Sequence, residues 1–390
     1  MNPIKKFFDN IHPLVEEGGR LHCLRSVVDG FETFAFVPNT TSKRGGVNIH
    51  DAVDSKRLIF FVIIALMPAL LFGMYNVGYQ NALLGGGDTS DFWGLFGYGF
   101  LAVLPKILVS YIVGLGIEFT VAQWKGEEIH EGFLVTGMII PMIVPVTLPL
   151  WMLAIATAFS VIFAKEIFGG TGMNIFNPAL ITRAFLFFSY PSAMTGDNHV
   201  WVNSDKILGL GYKCSDGLSA ATPLGQAATE GFSGFDCATV NDAIIGLIPG
   251  SIGETSVIAI ALGGLLLMCT GVASWKVMLS VFVGGACTGY LMQAAGLTEI
   301  EWWHQLIVGG FCFGAVFMAT DPVTAARTEC GKYIYGLLIG FIAVLVRVLN
   351  PGYPEGMMLA ILLLNLFAPL IDYCFVQSNI NKRAKRALKK

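Results

Sequence analysis

Charge is what this sequence has least of. Asp, Glu, Lys and Arg make up 13% of its 390 residues, while 54% are hydrophobic. A soluble domain carries about a quarter charged residues, so the balance excludes an ordinary soluble fold and places the chain among integral membrane proteins. Chemistry-bearing motifs are equally sparse. The eight cysteines include no C-x-x-C pair and no histidine at zinc spacing, which excludes a recognisable structural zinc or iron–sulfur site. Five of them (Cys269, Cys287, Cys312, Cys330 and Cys374) fall in or at the ends of apolar segments, where cysteine acts as a small hydrophobe. There is no Ser–His–Asp arrangement, no phosphate-binding loop and no dinucleotide fingerprint, so the chain cannot oxidise NADH by itself. No residue is assigned an acid–base or nucleophilic catalytic role, and nothing points to a nucleic-acid partner.

What is present is a series of long apolar stretches. Measured against the ~20 residues needed to cross a bilayer, ten spans are read at 58–75, 100–122, 132–150, 151–168, 175–191, 255–273, 277–294, 305–320, 333–349 and 356–376. Several are short or hold Pro and Gly, with Pro141, Pro145 and Pro149 the plainest sign of a broken helix. The predicted fold is therefore an all-α integral membrane protein. It divides into an N-terminal arm (1–57), a first membrane half (58–191), a polar loop (192–254), a second membrane half (255–376) and a basic tail (377–390). With five spans in each half, equivalent elements run in opposite directions, the inverted-repeat plan of many transporters. Asn174-Ile-Phe-Asn-Pro178 echoes Asn365-Leu-Phe-Ala-Pro369 in that register. A second echo, Asn177-Pro178 with Arg183 against Asp321-Pro322 with Arg327, belongs to another register, so one of the two is coincidence.

The few charges are placed asymmetrically. The arm carries Lys5, Lys6, Arg20, Arg25, Lys43, Arg44, Lys56 and Arg57, and the tail carries Lys382, Arg383, Lys385, Arg386, Lys389 and Lys390. The positive-inside rule then gives cytoplasmic N- and C-termini and puts the 192–254 loop outside. No apolar core follows Lys5 and Lys6, so the start is not a signal peptide. Phe7, Phe8, Ile11, Leu14 and Val15 recur at helical spacing, fitting either a surface amphipathic helix or an ordinary solvated arm. Cys214 and Cys237 share the outer loop, and the sequence leaves open whether they pair.

Charged residues inside spans are expensive and default to function. Arg183 is the deepest, and either pairs with a carboxylate or steadies an anionic ligand. Glu118, Lys165, Glu166 and Asp372 lie toward cytoplasmic ends, and Arg347 toward an outer end. Three stretches stand out. Gly169-Gly-Thr-Gly-Met-Asn174-Ile-Phe-Asn177-Pro178-Ala179 joins spans four and five; its glycines admit a flat ligand, or it is a tight turn capped by Asn. Ala319-Thr-Asp321-Pro-Val-Thr-Ala-Ala-Arg-Thr328 holds an Asp-Pro pair that reads equally as a helix cap. Cys214-Ser-Asp216-Gly-Leu-Ser219-Ala-Ala221-Thr222-Pro-Leu-Gly225 is small, turn-forming and hydroxyl-rich.

The last of these, Asp216-x-x-Ser219-x-Ala221-Thr222, resembles the acceptor sequence at which a flavin transferase joins FMN to threonine. It departs from the usual Ser-Gly-Ala-Thr in having Ala220 for glycine. Together with the Asn174–Pro178 and Asp321–Arg327 stretches, it is similar over nearly the whole chain to the B subunits of bacterial sodium-translocating NADH:quinone oxidoreductases, whose fold is akin to urea transporters. That resemblance implies FMN held covalently by Thr222, and a non-covalent riboflavin near Asn174, Asn177, Arg183 and Asp321. It also implies a quinone headgroup at Glu131, Gly132 and Phe133, and sodium handled at Glu131 and Asp372. It further implies a bacterial inner membrane location, membrane lipid, and five partner subunits (A, C, D, E and F). Two alternatives remain: the D subunit of the related Rnf ferredoxin:NAD oxidoreductase, which usually lacks so long an arm, and a urea-transporter-like solute channel.

Overall fold

The computed structural model describes residues 10–11, 13, 28, 55–126, 132–195, 200–213, 221–230, 237–298, 300–350 and 355–388. Most of the N-terminal arm lies outside these residues, as do Glu131, Asp216, Ser219 and Cys214. The described part is all-helical; apart from an isolated bridge between Ile207 and Leu210 it contains no strand.

In chain order, leaving aside the single turns Pro191–Met194 and His304–Ile307, the helices are α1 (Ser55–Leu84), α2 (Phe92–Lys125), α3 (Phe133–Met142), α4 (Leu150–Ser160), α5 (Pro178–Ser189), α6 (Pro223–Glu230), α7 (Cys237–Ile245) and α8 (Val257–Cys269). They continue as α9 (Trp275–Ala294), α10 (Phe311–Phe313), α11 (Glu329–Leu349) and α12 (Met357–Ala387). Among the described residues, six helical segments are long and apolar enough to cross a membrane, and α3, α5 and α8 are shorter apolar helices. Of the ten spans read from the sequence, some form as long helices, others as short or broken ones, as the Pro and Gly within them led one to expect. The segment expected at 305–320 is broken into His304–Ile307, Phe311–Phe313 and a π-turn at Gly314–Met318. The segment expected at 132–150 leaves the helix after Met142, where Pro145 and Pro149 each remove a backbone donor. α4 ends in a π-turn over Val161–Lys165 and a tight turn over Glu166–Phe168.

The polar interval expected between the first two spans is mostly helix. α1 runs on to Leu84 because Asn76, Gln80 and Asn81 are buried and find partners. Asn76 Nδ2 donates to the Ile248 carbonyl at 2.9 Å, and Asn81 Nδ2 to the carbonyls of Asn203 at 2.8 Å and Tyr212 at 2.9 Å. Tyr98 Oη donates to the Asp205 carbonyl at 2.7 Å. The 200–213 stretch is thus folded down onto the junction of α1 and α2.

Packing depends on small residues because helices in lipid gain little from simple apolar burial and associate by close contact. α9 and α11 lie against each other along their lengths. A Cβ built on Gly340 of α11 would stand 2.1 Å from the Val281 carbonyl oxygen of α9. One built on Gly99 of α2 would stand 1.7 Å from the Met74 carbonyl oxygen of α1. Substituting Gly340→Val should therefore force α9 and α11 apart, at a cost of at least about 1–3 kcal/mol. The expected result is a lower midpoint in a thermal-unfolding assay in detergent, against an unchanged midpoint for Gly116→Ala, whose Cβ meets nothing within 4 Å.

Candidate functional site

Thr222 is half-buried and caps the amino end of α6. Its Oγ1 accepts the Gly225 N–H at 3.1 Å, its carbonyl accepts the Gln226 N–H at 2.9 Å, and Pro223 occupies the first helical position. A threonine followed by proline is well suited to this geometry, since proline's fixed φ starts a helix and its missing N–H is not needed there. Thr222 lies on the wall of a small cleft with a cavity volume of about 30 Å³, lined also by Trp201, Leu224, Ser251, Glu254, Thr255, Val308 and Glu355. Ala221, its neighbour in the acceptor motif, is 4% exposed.

Beneath the cleft lies a buried ionic cluster. Arg183 Nη1 donates to Glu254 and Nη2 to Glu355, with a further contact from Nη2 to Ser251 Oγ at 3.4 Å. The three side chains come from separate elements: Arg183 from α5, Glu254 from the approach to α8, and Glu355 from the approach to α12. Arg347 of α11 donates to the Gln305 carbonyl and is buried beside the same segment. So Arg183 does pair with a carboxylate, and with two rather than one. Neither Glu254 nor Glu355 stood out in the sequence, because each sits in a connecting stretch, in Gly253-Glu254-Thr255 and Pro354-Glu355-Gly356. The available signal was position: each lies two or three residues before an apolar helix.

Asn174, Asn177 and Asp321 gather at a second place. Asn177 Oδ1 accepts the Ala179 N–H at 3.0 Å and so caps α5, with Pro178 in the first turn. Asn174 Nδ2 donates to the Phe176 carbonyl at 3.0 Å within its own turn. Asn177 Nδ2 then reaches Asp321 Oδ2 at 3.4 Å, joining the 169–178 and 319–328 stretches across the molecule. Asp321 also accepts from the Val323 N–H at 3.0 Å and the Thr324 hydroxyl at 3.1 Å. Desolvation pushes its carboxyl above the ordinary range, against the lowering effect of those two hydrogen bonds. Arg183 is not at this junction, since its guanidinium is engaged at the floor of the cleft. The Asn365 of the first repeat echo lies inside α12, accepting from Tyr335 Oη at 2.7 Å, so it does not occupy a position equivalent to Asn174.

The remaining candidates are dispersed. Asp372 of α12 accepts the N–H groups of Arg327 at 2.7 Å and Thr328 at 2.9 Å, and the Thr328 hydroxyl at 2.6 Å, which fastens α12 to the start of α11. Gly132 packs against Thr171, whose Cγ2 would be 2.5 Å from a Cβ there. Phe133 is fully buried, filling the space left by Gly114 and lying 5.8 Å from Lys165 Nζ. Lys165 is itself buried and paired with Glu118 rather than extended to the surface. Lys106, in the interior of α2, is a further buried charge that the sequence reading passed over. Among the described residues no group of three or more His, Cys, Asp or Glu is arranged to hold a metal ion.

Known proteins resemble the chain over nearly its whole length. Residues 43–381 match the model of the NQR2, RnfD, RnfE family. The chain belongs to this family. It is 42% identical over 409 residues to the B subunit of the Na(+)-translocating NADH-quinone reductase of Chromohalobacter salexigens, covering 98% of this chain and 96% of that one. It is 40% identical over 412 residues to the protein of the same name from Ectopseudomonas mendocina, covering 98% and 99%. The same name and a 40% identity over 412 residues recur in Pseudoalteromonas atlantica.

Removing one member of a buried ion cluster costs more than its Coulomb attraction, because the partners keep their charge without solvent. Arg183→Ala should accordingly destabilise the fold by about 3–5 kcal/mol, seen as loss of monodisperse protein in detergent. Arg183→Lys, which restores the charge but not the fork, should recover only part of it.

Proposed function

We propose that this chain is the redox-active B subunit, embedded in the membrane, of a sodium-translocating NADH:quinone oxidoreductase, with FMN attached to Thr222 through a phosphoester. The observation that carries the reading is Thr222 itself. A protein whose relatives are named as subunits of that enzyme presents a half-buried threonine at the amino end of α6, on the wall of a small polar-lined cleft. A phosphoester on this oxygen suits the site physically. The first N–H groups of a helix are unsatisfied and its dipole is positive there, so an anion is favoured. The family shared with Rnf subunits leaves that second complex in view, but the names of the most similar proteins favour the quinone reductase.

The flavins supply the electron-transfer chemistry, and the chain's own residues position, exclude water and set charge. Asn177 and Asp321, whose side chains meet at 3.4 Å, would hold a riboflavin where the 169–178 and 319–328 stretches join, with Asn174 in the adjoining turn. Asp216 and Ser219 would complete the acceptor motif read by the flavin transferase. Glu131, Gly132 and Phe133 would form the quinone-facing edge beside the N-terminal arm; Gly132 and Phe133, packed on Thr171 and Gly114, would give that edge a fixed base. Sodium, as cargo, would meet the oxygens of Glu131 and Asp372, the ligand type a hard cation prefers. Asp372 already accepts three hydrogen bonds, so a cation there competes with the joint between α11 and α12.

We further read the membrane part as two inverted five-element halves of a urea-transporter-like fold, with the arm and the basic tail both cytoplasmic in a bacterial inner membrane. Six long helices, three short ones and the broken 304–318 segment supply the ten elements. α1 packs on α8 and α5 on α12, contacts compatible with a two-fold relation between the halves, although the close packing of α1 on α2 has no counterpart between α8 and α9. Within each half the fourth and fifth helices pack together, and so do the second and fourth. The outer loop and the A, C, D, E and F subunits would complete the electron path.

Two measurements check this. In protein purified from its native host with the flavin transferase present, the denatured band should fluoresce under ultraviolet light. Thr222→Ala should abolish that fluorescence, and mass spectrometry should find FMN on the Thr222 peptide of the parent only. For sodium, Asp372→Asn should raise the concentration giving half-maximal quinone reduction several-fold. An unchanged sodium dependence with lower thermal stability would assign Asp372 to the helix joint alone.

A further inference from the structure

The stretch folded onto the junction of α1 and α2 ends in a hairpin tip that none of the candidate sites uses. Ile207 and Leu210 exchange both backbone hydrogen bonds, the Ile207 N–H donating at 3.0 Å and the Leu210 N–H at 2.9 Å. Between them, Leu208 and Gly209 have φ of 49° and 85°. This is the backbone of a type I′ turn, whose first central position favours Asn or Gly because a larger side chain is strained at positive φ. Leu208 is the only non-glycine residue at positive φ among the described residues, and it is 86% exposed. Packing does not explain an apolar side chain held outward on a strained backbone, and such an outlier points to function. Leu210 is exposed beside it, and exposed Lys206 and Lys213 flank the tip.

The contacts of the hairpin set its height. Tyr212 lies across Gly85 and Gly87, where an added Cβ would stand 2.4 Å and 2.3 Å from its side chain. The Tyr212 N–H donates to Asn81 Oδ1 at 2.8 Å. Leu210 Cδ1 would be 4.0 Å from a Cβ on Gly97, in the second turn of α2. Exposed tryptophans, Trp93 and Trp124, mark the two ends of α2. At 1.5 Å per residue about 46 Å of helix separates them, close to the roughly 40–45 Å of a bilayer with its headgroups. Tryptophan favours that level. Gly97 is one turn further in than Trp93, so the tip lies where headgroups meet hydrocarbon. Exposed Leu83, Phe92 and Trp93 continue the apolar band at the same ends of α1 and α2.

We propose that the 206–213 hairpin is a lipid-contacting anchor: Leu208 and Leu210 enter the acyl boundary, and Lys206 and Lys213 meet headgroup phosphates. An apolar tip between two ammonium groups fits a phospholipid surface, because lysine stems lie along apolar surface while their charge stays in the polar layer. The outer leaflet follows from the topology read above; the contact itself does not depend on it. The same stretch carries Trp201, which lines the Thr222 cleft, and the Val200 carbonyl accepts from Thr147 Oγ1 at 2.6 Å. Lipid contact at the tip thus holds one wall of that cleft at a set height.

The test places the whole complex from the native host in nanodiscs of phosphatidylcholine or phosphatidylglycerol carrying a diazirine high on the acyl chain. After illumination, proteolysis and mass spectrometry, lipid adducts are expected on the 206–213 stretch, with adducts on α11 as the internal reference. Leu208→Gly, which relieves the turn and removes the apolar tip, should cut the hairpin adduct several-fold relative to α11. Its thermal-unfolding midpoint should be unchanged or higher, an outcome that separates anchoring from a purely structural role. Replacing both lysines, Lys206→Gln with Lys213→Gln, should reduce labelling by phosphatidylglycerol more than by phosphatidylcholine. A parent hairpin without adducts beside a labelled α11 would overturn the proposal, as would undiminished labelling in Leu208→Gly. Amine cross-links from Lys206 or Lys213 to another subunit, in place of lipid adducts, would assign the tip to protein docking and overturn it too. The assay reads no flavin, so its failure leaves the reading of Thr222 standing.

Discussion

A guanidinium buried inside a membrane protein needs a partner, and the pairing of Arg183 with Glu254 and Glu355 is the interaction on which the arrangement of the second half depends. Arg183 is on α5, near the end of the first half, whereas the two carboxylates precede α8 and α12. One side chain therefore fixes where two later helices enter the bundle. The same constraint shapes the cleft above, because Ser251, Glu254 and Glu355 are at once members of the cluster and parts of its lining. The surrounding helices supply the low-dielectric setting in which this charge arrangement is strong.

Irregular backbone at membrane depth is tolerated only where it is buried in protein or lines a cavity. The broken 304–318 segment and the approach to α8 follow this rule, being largely interior and bordering the Thr222 cleft, whereas the approach to α5 buries Asn174 and Asn177 but exposes Met173 and Ile175. Regular helices form the frame, and the breaks between them supply nearly every polar group assigned to the ligands, as in transporters built from discontinuous helices.

Much of this frame was legible in the sequence. The apolar runs and sparse charge pointed to an all-α membrane protein, Pro141, Pro145 and Pro149 marked a broken element, and Asn177-Pro178 read as a helix cap. Boundaries failed where polar residues were satisfied at a distance. Asn76 and Asn81 look like a loop until the 200–213 and 248 segments fold back to accept their hydrogen bonds. The site was legible only where chemistry was local. Thr222 is carried by a contiguous motif, but Glu254 and Glu355 are separated from Arg183 by 71 and 172 residues, and no periodicity in a single chain links them. Lys165, which the sequence places only toward a cytoplasmic end, is held by Glu118, a match between α2 and the turn ending α4 that only packing reveals.

α12 is 31 residues long, which at 1.5 Å per residue is about 46 Å, whereas the hydrocarbon core is about 30 Å thick. Even allowing for tilt, its last turns stand clear of the hydrocarbon as unbroken helix. Those turns carry Lys382, Arg383, Lys385 and Arg386. The tail is thus a stiff positive post that leaves the hydrocarbon as helix and reaches about the level of the headgroups, since the whole bilayer is about 40–45 Å thick. Charge there is open to a neighbouring protein as well as to lipid headgroups.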